Sequence, residues 1–376
     1  MPKELSFNRL KDVDIKANIG NRVYIVALAL GVEVRPMKIG GESIIFKMVD
    51  NDEEREVRVF DNVEIIKSRL VNGQVYDIVV DIKPYDKGAD GLSCILYDIR
   101  ATRYELTPEQ FRPHIDNIEV YEQKLLKYLN YYGQTVYSAV ALHLYRKVRE
   151  QMLRHPAGAS MHHTEIGGLL FHEVAVADMC YAQCVTYNTT YGEGFVNDAL
   201  TVCTALIHDI GKLQEFKLKE DYTVEYTPLS AMTNHIVIGT KMIRQAAIEL
   251  GYGDIREIDE MEHLLLSHHG KMEYGSPVEP HCLEAIILSE ADINDARAWR
   301  YRKALRKLNA GESLTEWARG TNEIWYKPTS LAEHIARVGN GFQDVVSTDQ
   351  DVLDRHNMQE IAQIYGNNVQ ENGTTA

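Results

Sequence analysis

Cysteine is scarce: five residues, Cys94, Cys180, Cys184, Cys203 and Cys282, odd in number and scattered along the chain. That spacing gives no disulfide framework and fits a reducing compartment. Cys180 and Cys184 could share a helix face, but no second cysteine pair accompanies them, so core packing outweighs a zinc half-site. Long apolar runs are missing as well. The most apolar stretch, Val23 to Val32, is only ten residues, too short to cross a bilayer. Residues 1–20 are charged throughout, unlike the apolar centre of a signal peptide. The expectation is a cytoplasmic protein with no membrane partner. Positive charge is in deficit too: 40 Lys and Arg stand against 55 Asp and Glu, a net of −15. Proteins that coat nucleic acid by bulk electrostatics are usually basic. A local groove is still open to such a chain, and an acidic chain that handles phosphates needs metal ions to neutralise them.

What is present is ordinary globular text of 376 residues, 45% hydrophobic and 25% charged, long enough for about two to three domains. After an N-terminal arm, 1–20, the segment 21–104 is strand-like. Val23–Leu28 and Glu42–Val49 flank a Gly40-Gly41 turn. Arg55–Phe60, Val75–Asp81 and Leu92–Ile99 alternate apolar and polar residues as half-buried strands do. Five short strands in about eighty residues predict a small antiparallel barrel of the oligonucleotide-binding (OB) type; an SH3-like barrel or a sandwich fragment would look similar. Residues 21–100 hold eleven Lys and Arg against fourteen Asp and Glu, a net of −3, so no basic groove is visible. Tyr24, Phe46, Phe60 and Tyr85 are candidates to stack on bases, although most barrel aromatics are core.

After Pro108 the period changes to that of a helix. Ile118, Tyr121, Leu125, Leu126 and Leu129, then the run Thr135–Leu153, form a helical connector, 105–155. From Pro156 to Pro328 helix formers dominate, predicting an all-helical domain over 156–328. A helix-compatible piece, Leu331–Val338, then leads into a polar tail within 329–376. The fold class is therefore multidomain α+β, a barrel followed by an all-α bundle, with no internal repeat.

Chemistry concentrates in the helical domain. His172 sits on an apolar face with Leu169, Val176 and Met179. His208-Asp209 lie side by side in Ala205–Leu213, and His235, His268-His269 and Asp292 follow. Each has a cheap explanation as a satisfied core residue. Together they offer up to five imidazoles and two carboxylates from separate helices, the way helix bundles build metal sites. Mixed imidazole and carboxylate donors suit Mn²⁺, Fe²⁺, Zn²⁺ or Mg²⁺, and two such ions about 3.5–4 Å apart would clamp a phosphoryl displacement.

This ordered series resembles the HD phosphohydrolase superfamily. More narrowly it is similar to the YhaM-type 3′-to-5′ exoribonucleases, which join an OB barrel to an HD domain. The resemblance runs through Pro156-Ala157 with His162-His163, Gly167-Gly168-Leu169, Ile207–Lys212, His235, Ser267-His268-His269-Gly270 through Gly275-Ser276-Pro277, Asp292 and Trp325–Pro328. It implies an OB-fold barrel followed by an HD-domain bundle. It further implies divalent metals, two with Mn²⁺ favoured: His172, His208, Asp209 and Asp292 would hold one, and Asp209 would bridge to a second held by His235 and by His268, His269 or both. Asp209, Lys212 and His269 are the implied catalytic residues. Lys212, His162, His163 and Ser276 would meet substrate, the last in a turn where a backbone amide could face phosphate. The implied activity is hydrolysis of single-stranded RNA, and of DNA as an alternative, from the 3′ end with release of 5′-nucleotides; a homo-oligomer is compatible. Alternatives are an HD hydrolase of small or cyclic nucleotides, a nucleic-acid-binding assembly protein with a structural metal, and a di-iron oxygenase.

Overall fold

A computed structural model of the chain describes residues 7–38, 40–51, 53–86, 91–158, 163–306, 308, 311–315 and 323–330. It divides into two compact units, Met1–Arg300 and Tyr301–Ala376. In the second unit the Thr315 amide donates to the Trp325 carbonyl, and the Tyr301 ring stands edge-on to Trp325. The helix expected over Leu331–Val338 lies outside the described residues. Among those residues no helix is long and apolar enough to cross a membrane.

The first unit opens with a closed barrel of β1 (Arg22–Pro36), β2 (Glu42–Asp50), β3 (Glu53–Val59), β4 (Gln74–Pro84) and β5 (Leu92–Ala101), in the order β1-β2-β3-β5-β4. β1 does double duty. Its first half pairs with β4, Arg22 opposite Asp81 through Ala29 opposite Gln74, and its second half pairs with β2. Between them the register slips after Leu30, where Gly31 takes φ +65°. A bulge of this kind bends a strand and lets one sheet close on itself. Five strands in this order are the OB barrel. Two local corrections follow. The barrel is not wholly antiparallel, because β3 and β5 run parallel, as closure of an odd-numbered sheet requires. The segment between β3 and β4 is not a plain turn but a short helix, α1 (Val63–Arg69), whose Ile66 is buried at the barrel core.

The apolar stretch 23–32 is explained by burial on both faces. Ile25, Ala27 and Ala29 face the barrel interior with Phe46, Met48, Ile78 and Val80. Val26, Leu28 and Leu30 pack outside it against Val49, Val75 and Phe111. Phe46 is fully buried, which removes it from the stacking candidates. Residues 7–20 lie on the barrel, with Leu10 and Ile15 in its core.

The helical region comprises α2 (Ile118–Tyr131), α3 (Val136–Met152), α4 (Gly168–Tyr191), α5 (Asp198–Ala205), α6 (Lys212–Glu215), α7 (His235–Glu249), α8 (Arg256–Ser267) and α9 (Leu283–Leu305). Side chains accept the first free amides of several: Thr135 for α3, Asn197 for α5 and Asn234 for α7. One core joins Leu125 and Leu129 of α2, Val140 and Leu144 of α3, and the apolar faces of α4, α5, α7, α8 and α9. The region is not purely helical: β6 (Phe216–Leu218) and β7 (Val224–Tyr226) form a two-stranded ribbon. Three-residue strands are too short to show alternation in sequence. The ribbon's turn meets the barrel, where Asn72 Nδ2 donates to Asp221 at 3.0 Å.

Candidate metal centre

The centre is assembled from five places in the chain. α4 supplies His172 and Glu173, the turn after α5 supplies His208 and Asp209, α7 begins with His235, α8 ends into His268 and His269, and α9 supplies Asp292 and Asp295. The turn after α5 is held by Glu173. Its carboxylate accepts the backbone amides of His208 and Asp209, each at 3.1 Å. Gly211 then lets this turn touch the first residues of α7, since a Cβ there would stand 2.0 Å from the His235 carbonyl oxygen.

Asp209 is the middle of the arrangement. Its Oδ2 faces His172 Nε2 at 3.4 Å and His208 Nε2 at 3.7 Å. Its Oδ1 faces His235 Nε2 at 3.3 Å and His268 Nε2 at 3.7 Å. Asp292 Oδ1 completes the first side, 3.1 Å from His172 Nε2 and 3.8 Å from His208 Nε2. His269 joins the second, its ring 5.2 Å from His235 and 4.5 Å from His268 between centroids. Lys212, three residues beyond Asp209, places Nζ 2.5 Å from Oδ2 and is buried rather than a surface lysine.

The imidazoles are turned the same way. His172 Nδ1 bonds Asp295, His235 Nδ1 bonds Glu215 at 3.0 Å, and His268 Nδ1 donates to the Leu265 carbonyl at 2.6 Å. His208 Nδ1 lies 2.8 Å from the Ala205 carbonyl and 2.7 Å from Glu173. Every Nε2 is thereby left for the middle. This is how metal-binding histidines are usually fixed.

Electrostatics show what the group needs. Burial opposes the charge on Asp209, but Lys212 and His208 outweigh it and hold the carboxyl well below its ordinary range. Burial likewise pushes His172 down, yet Asp209, Asp292 and Asp295 raise it well above the usual imidazole value. His208 is raised to about 10 against the same burial, chiefly by Glu173 and Asp209. Burial and His268 lower His269 to about 4. Five buried carboxylates, Glu173, Asp209, Glu215, Asp292 and Asp295, thus meet the Lys212 ammonium and the raised imidazoles of His172 and His208. His208 Nε2, His235 Nε2, His268 Nε2 and Asp209 Oδ1 are buried with no hydrogen-bond partner, which is costly unless a cation meets them. A divalent ion takes ionised carboxylates and imidazoles that have released the proton of the facing nitrogen; it would replace the protons that the carboxylates now hold on His172 and His208, so the residues fit such an ion.

The chain matches the HD domain family over residues 169–297, the span that holds His172, His208-Asp209, His235, His268-His269 and Asp292. Over those residues the chain is similar to HD domains. The chain is also similar to curated proteins named 3′-5′ exoribonuclease YhaM. That of Bacillus velezensis is 32% identical over 190 residues, covering 50% of this chain and 58% of its own length. That of Geobacillus sp. is 31% identical over 206 residues, 55% and 61% of the two chains. The chain therefore spans less than two thirds of these relatives. Among solved structures, the mitochondrial single-stranded DNA binding protein Rim1 of S. cerevisiae is 13% identical with a TM-score of 0.20, covering 23% of this chain and 97% of Rim1. The OB assignment rests on the strand order above.

Other expected site residues land differently. His162 lies outside the described residues. His163, expected at substrate, is buried with Nε2 2.6 Å from Asp295; its ring faces the carboxylate that also bonds His172 instead of solvent. Ser276 sits in a turn beside His269, where a Cβ on Gly275 would lie 3.8 Å from His269 Nδ1. The amides expected to face phosphate there are engaged, Gly275 with the Met272 carbonyl and Ser276 with that of Lys271. Only the Ser276 hydroxyl, buried and unpartnered, is left. Glu173, Glu215 and Asp295 escaped the sequence reading. Asp295 follows Asp292 by three residues, so helical spacing was the available signal for it; Glu173, next to His172, had none.

Proposed function

We propose that the chain is a metal-dependent 3′-to-5′ exonuclease of single-stranded nucleic acid, RNA favoured, releasing 5′-nucleotides. The observation that carries the reading is the division of Asp209, Oδ2 toward His172 and His208 and Oδ1 toward His235 and His268. One carboxylate joining two donor groups suits two divalent ions, with Mn²⁺ favoured and Mg²⁺, Fe²⁺ or Zn²⁺ as alternatives. The set His172, His208, Asp209 and Asp292 would hold one, and Asp209 and His235 with His268, His269 or both would hold the other. Ions so bound supply Lewis-acid polarisation of a phosphoryl oxygen and a water acidic enough to attack phosphorus near neutral pH. Lys212, the group's ammonium, is in position to offset phosphoryl charge. His269, kept neutral by burial beside His268, accepts a proton where His235 and His268 hold the second ion without it. The name that the curated relatives share supports the reaction class, and the OB barrel is the element suited to hold a single strand.

The test is a digest of 3′- and 5′-labelled single-stranded RNA and DNA with Mn²⁺ or Mg²⁺. A ladder shortening from the 3′ end, lost in Asp209→Asn, is the expected result. Intact oligonucleotides with every metal would overturn the reading. One observation favours hydrolysis of small or cyclic nucleotides: Arg22, Arg35, Lys47, Arg58, Lys67 and Arg100 of the barrel are each ion-paired with a carboxylate. Faster turnover of a cyclic dinucleotide than of an oligonucleotide would decide for that alternative.

A further inference from the structure

Asp295 is bonded by two imidazoles. Its Oδ2 lies 2.6 Å from His163 Nε2 and 2.6 Å from His172 Nδ1, and all three side chains are buried. An ion cannot account for this trio, because two donor atoms on one metal stand about 3 Å apart or more when each bond is about 2 Å. These are hydrogen bonds, so each facing nitrogen carries a proton. For His172 that leaves Nε2 toward Asp209 and Asp292.

His163 reaches Asp295 from a segment tightly fixed in space. It takes φ +44°, its carbonyl accepts the Ala157 amide at 2.8 Å, and a Cβ on Gly168 would stand 2.3 Å from the same oxygen. Its ring packs 5.2 Å from Phe171 and 5.9 Å from Trp299 between centroids. One turn along α9 from Asp295, Trp299 Nε1 donates to Glu165 at 3.0 Å. The strand of chain leading into α4 is thus attached to α9 twice, at Asp295 and at Trp299.

We propose that Asp295 is a positioning residue of the HD centre, fixing the tautomer and direction of His172, and that His163 acts through the same carboxylate rather than on substrate. This rests on His172 being a metal ligand. It assigns to His163 a purpose that needs no exposed surface, and it makes the entry to α4 part of the metal-binding unit.

The experiment is calorimetric titration of the full chain with Mn²⁺, with a thermal melt of each metal-free protein alongside. The variants are Asp295→Ala, Asp295→Asn, His163→Ala, the double variant of Asp295→Ala with His163→Ala, and His208→Ala as a ligand control. Asp295→Ala is expected to weaken Mn²⁺ binding about 10- to 100-fold, the usual loss for a carboxylate behind a ligating histidine. Asp295→Asn keeps an acceptor oxygen for His172 and is expected to recover most of that loss. His163→Ala is expected to weaken binding less, and to add nothing to Asp295→Ala, because both act through one carboxylate. Wild-type affinity in a folded Asp295→Ala protein would overturn the proposal. If Asp295→Ala does not fold, His163→Ala decides: weaker binding supports the proposal and unchanged binding overturns it. If the wild type binds no Mn²⁺, or His208→Ala binds as tightly, the metal centre itself is what fails.

Discussion

Gly211 and the His235 carbonyl are in backbone contact: a Cβ on Gly211 would stand 2.0 Å from that oxygen and 2.7 Å from the Gly239 amide nitrogen. Gly211 has φ −62°, an ordinary helical value, so space and not backbone conformation demands glycine. The contact brings Asp209 Oδ1 to 3.3 Å from His235 Nε2. Gly211→Ala must separate the turn from α7, and overpacking of this kind costs about 3 kcal/mol. Denaturant unfolding is expected to register that loss, with Mn²⁺ affinity reduced more than in Leu170→Ala, a core variant away from the contact. Unchanged stability would disprove the contact.

Glu173 is fully buried and receives two backbone amides from the turn that presents His208 and Asp209. Glu173→Ala leaves both donors without a partner, each costing about 1–3 kcal/mol. Glu173→Gln retains one acceptor oxygen and is expected to lose roughly half as much. Chemical denaturation of the two variants checks the order, and an alanine variant as stable as the glutamine variant would contradict it.

Most of the buried His and Asp cluster was legible because a His-Asp pair within Ala205–Leu213 contradicts its apolar surroundings, and five such contradictions across one domain exceed coincidence. The barrel was legible because strands such as β4 alternate buried and half-buried residues from Tyr76 to Ile82. Other features depend on partners distant in sequence. His163 bonds a carboxylate 132 residues away, so its loop position read as exposed. Glu173 and Glu215 look like helix-surface acids until the imidazole or amide each one holds is known. The parallel pairing of β3 with β5 arises from closure, which no local pattern records.

Removal of divalent metal should lower thermal stability. The buried acids of the centre face each other across a small space, and the Nε2 atoms of His208, His235 and His268 have no hydrogen-bond partner. An ion that binds the folded state alone stabilises it by RT ln(1 + [L]/Kd), about 2.7 kcal/mol at a hundredfold excess over Kd. Chelator-treated protein is expected to melt several degrees lower, with Mn²⁺ restoring the difference in the wild type and not in Asp209→Asn. Equal melting of the treated and Mn²⁺-loaded wild type would argue against a resident ion.

Acid sensitivity can be assigned to a pair of helices remote from the buried His and Asp cluster. Glu122 of α2 accepts from the Tyr145 hydroxyl and from Arg149 Nε and Nη2 of α3. Arg149 lowers its carboxyl pKa against the opposing effect of burial, and Tyr145 adds to the lowering. An unfolded glutamate titrates near about 4.3, so the stabilisation is fully present above that pH and is lost as pH falls through the lower folded value. At pH 7, Glu122→Gln is expected to be less stable than wild type by about 1.5–3 kcal/mol, the range for hydrogen bonds to a charged group. Acidification should then narrow the gap, because the wild-type carboxyl becomes neutral like the amide that replaces it. Urea unfolding of both proteins from pH 7 down to about pH 3 measures it. A gap that stays constant throughout would mean that the ionised form of Glu122 contributes nothing to holding α2 on α3.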